Sequence, residues 1–99
     1  MFYPNMTAGL KKHILIQYPA ATPLFREPNL LSLLSSRERA CYALWMLDYL
    51  QTLTSGDPIT AAARRGRWMG YVNRELEVLG VITNDEIRTL MRLDLDNPQ

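Results

Sequence analysis

The stretch Thr54-Ser55-Gly56-Asp57-Pro58 constrains what this chain can fold into more than any other part of it. Gly56 can take the left-handed conformation that closes a helix, Asp57 is a good N-cap, and Pro58 suits a first helical position, where no backbone N–H is needed. A helix that ends here is followed at once by another, and the two must form a tight helical hairpin. The incoming helix opens at a capping box, Ser35-Ser36-Arg37-Glu38, in which the hydroxyl and the carboxylate each satisfy an orphan backbone N–H. It is expected to reach about Leu53. Its apolar residues Ala40, Cys41, Ala43, Leu44, Trp45, Met46, Leu47 and Leu50 occupy more than one face, which marks it as packed on several sides and as the centre of the fold. The outgoing helix is expected from Pro58 to Leu79, with Ile59, Ala62, Met69, Val72, Leu76 and Leu79 on its buried stripe and Gly80 as its stop.

Two further helices frame this hairpin. Thr83-Asn84-Asp85-Glu86 is a second capping box, and Ile82 with Ile87 forms a hydrophobic staple around it, so another helix starts directly after Gly80. Leu90 and Met91 are expected to continue its buried face. Near the start, a helix is expected from about Thr7 to Gln17, with Leu10, Ile14 and either Ile16 or Tyr18 inward, because Pro19 disfavours helical geometry at Tyr18. Residues 19–28 read as a proline-rich connector pinned by Leu24 and Phe25, residues 29–36 as one or two further helical turns, and residues 94–99 as a frayed tail. The expectation is an all-α fold: one domain over residues 1–99, a small bundle of about four helices around the central hairpin.

Composition narrows the partners. Eleven Lys+Arg against ten Asp+Glu give a formal charge of +1, so no global field draws the chain to nucleic acid or to anionic membrane. The single Cys41 can form no internal disulfide, and the longest apolar run, Ala40 to Leu50, is far short of the ~20 residues a membrane span needs. No export signal is readable after the lysines at 11 and 12. A cytoplasmic protein is expected.

Two features of the third helix invite a functional reading. Ala62, Gly66 and Gly70 recur every four residues and place three small side chains on one face. Each helix-interior glycine is unfavourable by roughly 1 kcal/mol relative to alanine, so the pair calls for a reason. The favoured one is close packing inside the chain, with Trp45 or Tyr49 of the second helix lying in the groove; a helix from a second copy or a partner, or a bend at Gly66, are the alternatives. Substituting Gly70 by Leu would then overpack the contact. Second, Arg64, Arg67, Tyr71 and Arg74 follow three- and four-residue spacing, with Arg65 and Trp68 beside them. Such a stripe is either a solvated face, with Arg67 or Arg74 pairing locally with glutamates, or a surface that grips phosphates or the acidic residues of a protein, Glu75 and Glu77 at its end standing against phosphate. Arginine and aromatic residues together are typical of protein-binding hot spots, which makes Arg64, Arg67, Trp68, Tyr71 and Arg74 the candidate partner-binding residues.

The join from Glu75 to Arg92 resembles a DNA-binding helix-turn-helix in its short glycine turn, but its second helix opens with Asn84, Asp85 and Glu86, which would meet phosphates with like charge. Catalysis finds no foothold. His13 is the only histidine, Cys41 sits in the most apolar helix, no residues have metal-ligand spacing, and no glycine-rich loop leads to a phosphate-binding lysine. No cofactor is expected. Asp48, the one acid inside the apolar helix, is expected either to mark its exposed edge, the favoured reading, or to be buried against an arginine.

The segment Arg64 to Arg92, with Arg67-Trp68-Met69-Gly70-Tyr71, the Leu79-Gly80-Val81 turn and Asp85-Glu86-Ile87-Arg88, resembles the C-terminal part of small helical accessory proteins encoded by phages, prophages and plasmids. The resemblance covers the C-terminal third of the chain and brings no catalytic residue. It implies a mobile-element accessory factor that binds and redirects a host protein, such as defence or DNA-processing machinery. The expected function is therefore a non-enzymatic protein-binding module with a host protein as partner, a homo-oligomer being open. The alternative is a small nucleic-acid-binding transcriptional regulator that uses the arginine stripe.

Overall fold

A computed structural model describes residues 1–27 and 32–96. Among them are four helices and no strand: α1 (Pro4–Gln17), α2 (Ser36–Leu50), α3 (Pro58–Val78) and α4 (Asn84–Asp96). The punctuation works as its chemistry requires. The Ser35 hydroxyl accepts from the Glu38 N–H at 3.1 Å while the Glu38 carboxylate accepts from the Ser35 N–H. Thr83 and Glu86 make the same reciprocal pair, and Asp57 accepts from the Thr60 N–H with Pro58 in the first helical turn. Gly56 and Gly80 take positive φ of 88° and 74°. At Gly80 the α3 C-terminus closes as a Schellman turn, with Gly80 N–H donating to the Glu77 carbonyl and Val81 N–H to that of Leu76.

The helices pair as two antiparallel couples. In α2 and α3, Arg39 faces Glu75, Tyr49 faces Trp68, and the Leu53 carbonyl meets Arg65, which is the expected hairpin. In α1 and α4 the register advances four residues on each side: Asn5 meets Asp94, Gly9 meets Leu90, and His13 meets Glu86 at 3.4 Å. Asp94 binds the N-terminus of α1 outright. Its two carboxylate oxygens accept from the Asn5 and Met6 N–H groups at 2.8 and 2.9 Å, an N-cap supplied from another helix. An acid in the last turn of α4 opposes that helix's own dipole and is answered by the positive end of α1. This corrects the reading of 94–99 as a frayed tail: residues 94–96 continue α4, and residues 97–99 lie outside the described residues.

All four helices share one core, in which Leu10, Ile14, Ala40, Tyr42, Met46, Leu47, Leu50, Val72 and Leu76 are almost wholly buried. Ile82 and Ile87, the staple pair, are buried with them. Several positions differ from expectation. Helix α1 begins at Pro4 rather than near Thr7, because Pro4 itself takes the first helical turn. Ile16 points outward and Tyr18 is half-buried against the core. In α3, Ile59 is 82% exposed and Ala62 is exposed, whereas Ala61 is buried, so the inward stripe begins at Ala61. Met91 is exposed as well, since α4 buries only a narrow line against α1. Asp48 does mark an exposed edge, and Lys11 of α1 reaches it at 2.7 Å.

The N-terminal segment is strapped down by polar contacts that apolar periodicity does not reveal. The Gln51 carboxamide accepts from the Phe2 N–H and donates to the Phe2 carbonyl, and the Arg65 guanidinium lies 3.6 Å over the Phe2 ring. Tyr3 next to it takes a positive φ of 50°, which a non-glycine residue adopts only when held on both sides. The connector is pinned where Leu24 N–H donates to the Cys41 carbonyl and where Phe25 packs on α2. Of residues 29–36, a 3₁₀ turn is present at 32–33, and residues 28–31 lie outside the described residues. No helix is long and apolar enough to cross a membrane among the described residues.

Candidate partner-binding face

The small-residue row on α3 does not pack inside the chain. Ala62, Gly66 and Gly70 are all exposed; a Cβ added at Gly70 would meet nothing within 4 Å, and one at Gly66 only the Tyr3 hydroxyl at 3.8 Å. Helix α2 lies instead against the side of α3 that carries Ala61, Trp68, Met69, Val72 and Leu76, and Tyr49 meets Trp68 rather than a glycine. The close approach that a glycine permits is elsewhere. At Gly9 of α1 a Cβ would lie 2.5 and 2.6 Å from the two Leu90 methyls, so the missing side chain is what lets α4 sit down on α1.

The arginine stripe divides in two. Arg64 donates to the backbone carbonyl and hydroxyl of Ser55, and Arg65 to the Leu53 carbonyl, so both guanidiniums are used in tying the α2–α3 turn to α3. Arg67 and Arg74 are exposed and make no hydrogen bond or ion pair with any described residue. Between them on the same line stands Tyr71, 41% exposed, and Val78 continues that line toward the C-terminus of α3. Arg67, Trp68 and Tyr71 converge with Tyr42 of α2 around a cleft of about 290 Å³. Four of the five candidate residues, Arg67, Trp68, Tyr71 and Arg74, thus stand on one face, while Arg64 has a structural partner.

The residues missed from the sequence are those α2 adds to this face. Tyr42, Trp45 and Tyr49 follow three- and four-residue spacing, the signal that should have disclosed a row. Trp45 is stacked on both sides, by Tyr42 at 5.8 Å and 15° and by Tyr49 at 4.9 Å and 10°. Phe25 of the connector meets Trp45 edge-on at 4.9 Å, and Trp68 meets Tyr49 edge-on at 5.2 Å. Six of the chain's nine aromatic rings, Phe25, Tyr42, Trp45, Tyr49, Trp68 and Tyr71, are gathered here, and Phe25 and Tyr49 keep 47% and 37% of their surface in water.

Beneath the face, Glu75 of α3 is buried and bound by Arg39 of α2 through both Nε and Nη2. That pair shapes the electrostatics of the cleft. Burial raises the Tyr71 hydroxyl above its ordinary pKa of 10.0, Glu75 raises it further, and Arg39 works against them. Burial likewise raises Tyr42, with Tyr71 and Glu27 adding to it. Both phenols are neutral hydrogen-bond donors at physiological pH. Among the described residues no group of His, Cys, Asp and Glu could hold a metal ion. Comparison with protein families, with characterised proteins and with solved structures finds no match for the chain.

Proposed function

We propose that this chain is a non-enzymatic protein-binding module, of the kind phages and other mobile elements encode to modulate a host protein, and that it docks its partner on the aromatic–arginine face of the α2–α3 hairpin. The observation that carries this reading is the convergence of Arg67, Trp68, Tyr71 and Tyr42 on an open cleft, continued by the partly exposed Trp45 and Tyr49 rings of α2. Aromatic rings and arginine supply most of the energy at protein interfaces, and they do so from pockets near the centre of a patch. The rings here are held in place before a partner arrives. Each lies against at least one neighbouring ring or the cleft wall, so little side-chain entropy is lost on docking.

The test is site-specific photocrosslinking in bacterial cells. A photoreactive residue at Tyr71 should give discrete protein adducts that survive nuclease treatment, whereas one at Arg88, on α4, should give none. Adducts from position 71 that consist of nucleic acid, or an equal yield from both positions, would overturn the reading.

A further inference from the structure

We infer that the Tyr42–Arg67–Trp68–Tyr71 cleft receives an acidic peptide: an extended segment of the partner protein that places one aromatic or long aliphatic side chain in the cleft and carboxylates against Arg67 and Arg74. The inference rests on the protein-binding reading of this face and specifies the chemistry of what is bound. The cleft, about 290 Å³ with largely apolar walls and lined by four side chains, is of a size for one large side chain rather than a helix. Its mouth offers hydrogen-bond donors: the Arg67 guanidinium and the half-exposed Tyr71 phenol, which stays protonated at physiological pH, with buried Tyr42 at the base of the cleft.

No nearby acid pairs with either arginine among the described residues. Glu75 is tied to Arg39, Glu27 acts on Tyr42 from the connector, and Glu77, three residues beyond Arg74, forms no ion pair. Arg67 and Arg74 therefore present two unpaired cations with Tyr71 between them. Seven residues of helix separate their Cα atoms by about 10.5 Å. Side chains on one face of an extended chain recur every second residue, about 6.6 Å apart, so a segment laid along α3 can meet both guanidiniums with two acids two or four positions apart, the long arginine side chains taking up the difference. A single-stranded nucleic acid would need ring faces for its bases. Both faces of Trp45 are already covered by Tyr42 and Tyr49, so the centre of the row is closed to base stacking.

Panning a random twelve-residue peptide display library against the full chain tests this. Recovered peptides should be enriched in Asp and Glu flanking an aromatic or long aliphatic residue. A synthetic copy of the strongest should lose affinity about tenfold or more on Arg67→Gln and be unaffected by Arg88→Gln. Because Arg67 is exposed, its variants keep the fold, which a melting curve verifies. Arg67→Glu should abolish binding of the acidic peptide and restore it for a copy in which the facing acid is replaced by Lys. Neutral or basic peptides that bind and are lost on Tyr71→Ser would overturn the acidic assignment and leave the protein-binding reading standing. Recovery of no peptide, or of peptides indifferent to Arg67 and Tyr71, overturns the inference. If in addition a labelled single-stranded DNA or RNA oligonucleotide binds through Arg67, the protein-binding reading falls with it.

Discussion

Three glycines in helices, Gly9, Gly66 and Gly70, have the same composition and opposite meanings. The fourfold spacing of Ala62, Gly66 and Gly70 is visible in the sequence, whereas Gly9 stands alone, yet Gly9 is the one against which another helix packs. Spacing shows which residues share a face and cannot show what lies opposite, and the opposing Leu90 is far away in the chain. The difference is measurable. At Gly70 a methyl enters open space, so Gly70→Ala should stabilise by about 1 kcal/mol through helix propensity, a rise of roughly 4–8 °C in Tm for a domain of this size. Gly70→Leu should leave the monomer's melting unchanged or raised, and any loss it causes would have to come from an assembly. Gly9→Ala gains the same propensity but drives its methyl into Leu90, where overpacking of about 1–3 kcal/mol offsets the gain and should leave the protein destabilised. In a Leu90→Ala background the sign should reverse, because the obstructing methyls are gone. A chemical-denaturation cycle over the four Gly9 and Leu90 variants reads this directly; additive effects would show that Gly9 is not held small by Leu90.

Helix boundaries were the most legible elements, because a cap is a local contract between residues three apart. Ser35 with Glu38, Asp57 with Pro58, Gly80, and Thr83 with Glu86 all do what their chemistry predicts. The α2–α3 pairing was legible from the short turn that joins them, whereas the pairing of α1 with α4 was not, because Asp94 reaching the α1 N-terminus and Gln51 gripping Phe2 join residues far apart in the chain. The caps also make stability depend on pH. Hydrogen bonds from Ser35 hold the Glu38 carboxyl below its ordinary 4.5, those from Thr83 with the help of His13 hold Glu86 below the same value, and those from Thr60 hold Asp57 below 3.8. Each folded pKa is depressed, so the contribution is complete above the unfolded value and is lost as pH falls through the folded one. Stability should therefore decline below about pH 4.5, and the decline should be shallower in Glu38→Gln and Glu86→Gln, as followed by urea midpoints from pH 7 to pH 3. Asp94→Ala removes the cap on α1 and should destabilise by about 1–2 kcal/mol without altering α2 or α3. The Arg39–Glu75 pair joins α2 to α3 in the same long-range way. Glu75→Ala leaves a half-buried guanidinium unpaired and should be destabilising by about 2–4 kcal/mol, whereas Arg39→Met with Glu75→Leu should recover most of that loss. A double variant as unstable as the single one would show that the pair adds more than it takes to bury it.

At the scale of the whole molecule, the near-neutral charge conceals a divided surface. Eleven basic and ten acidic residues cancel in the sum, and the fold then ties many of them together: Lys11 to Asp48, Arg26 to Glu38, Arg39 to Glu75, with Arg64 and Arg65 on backbone carbonyls. The basic-aromatic stripe was legible as spacing, but which of its arginines stay free depended on how the α2–α3 turn folds back, and that is set by the Ser55 and Leu53 carbonyls rather than by side-chain pattern. This matters for the choice between a protein and a polyanion. Four guanidiniums on phosphates would give a log–log salt slope near −3.6 on duplex DNA, at about −0.9 per phosphate; the two that are free, Arg67 and Arg74, give about −1.8. Two contacts hold a duplex weakly at physiological salt. Any nucleic-acid binding should therefore be weak, with a slope no steeper than about −2 that Arg67→Gln reduces by roughly one unit and Arg64→Gln leaves unchanged. Arg64→Gln should act on stability instead, because its guanidinium holds Ser55. Titration of labelled duplex DNA across salt concentrations decides the matter. Submicromolar binding at physiological salt with a slope of −3 or steeper would mean that Arg64 and Arg65 leave their carbonyls for phosphate, and would make the α3 stripe a nucleic-acid surface.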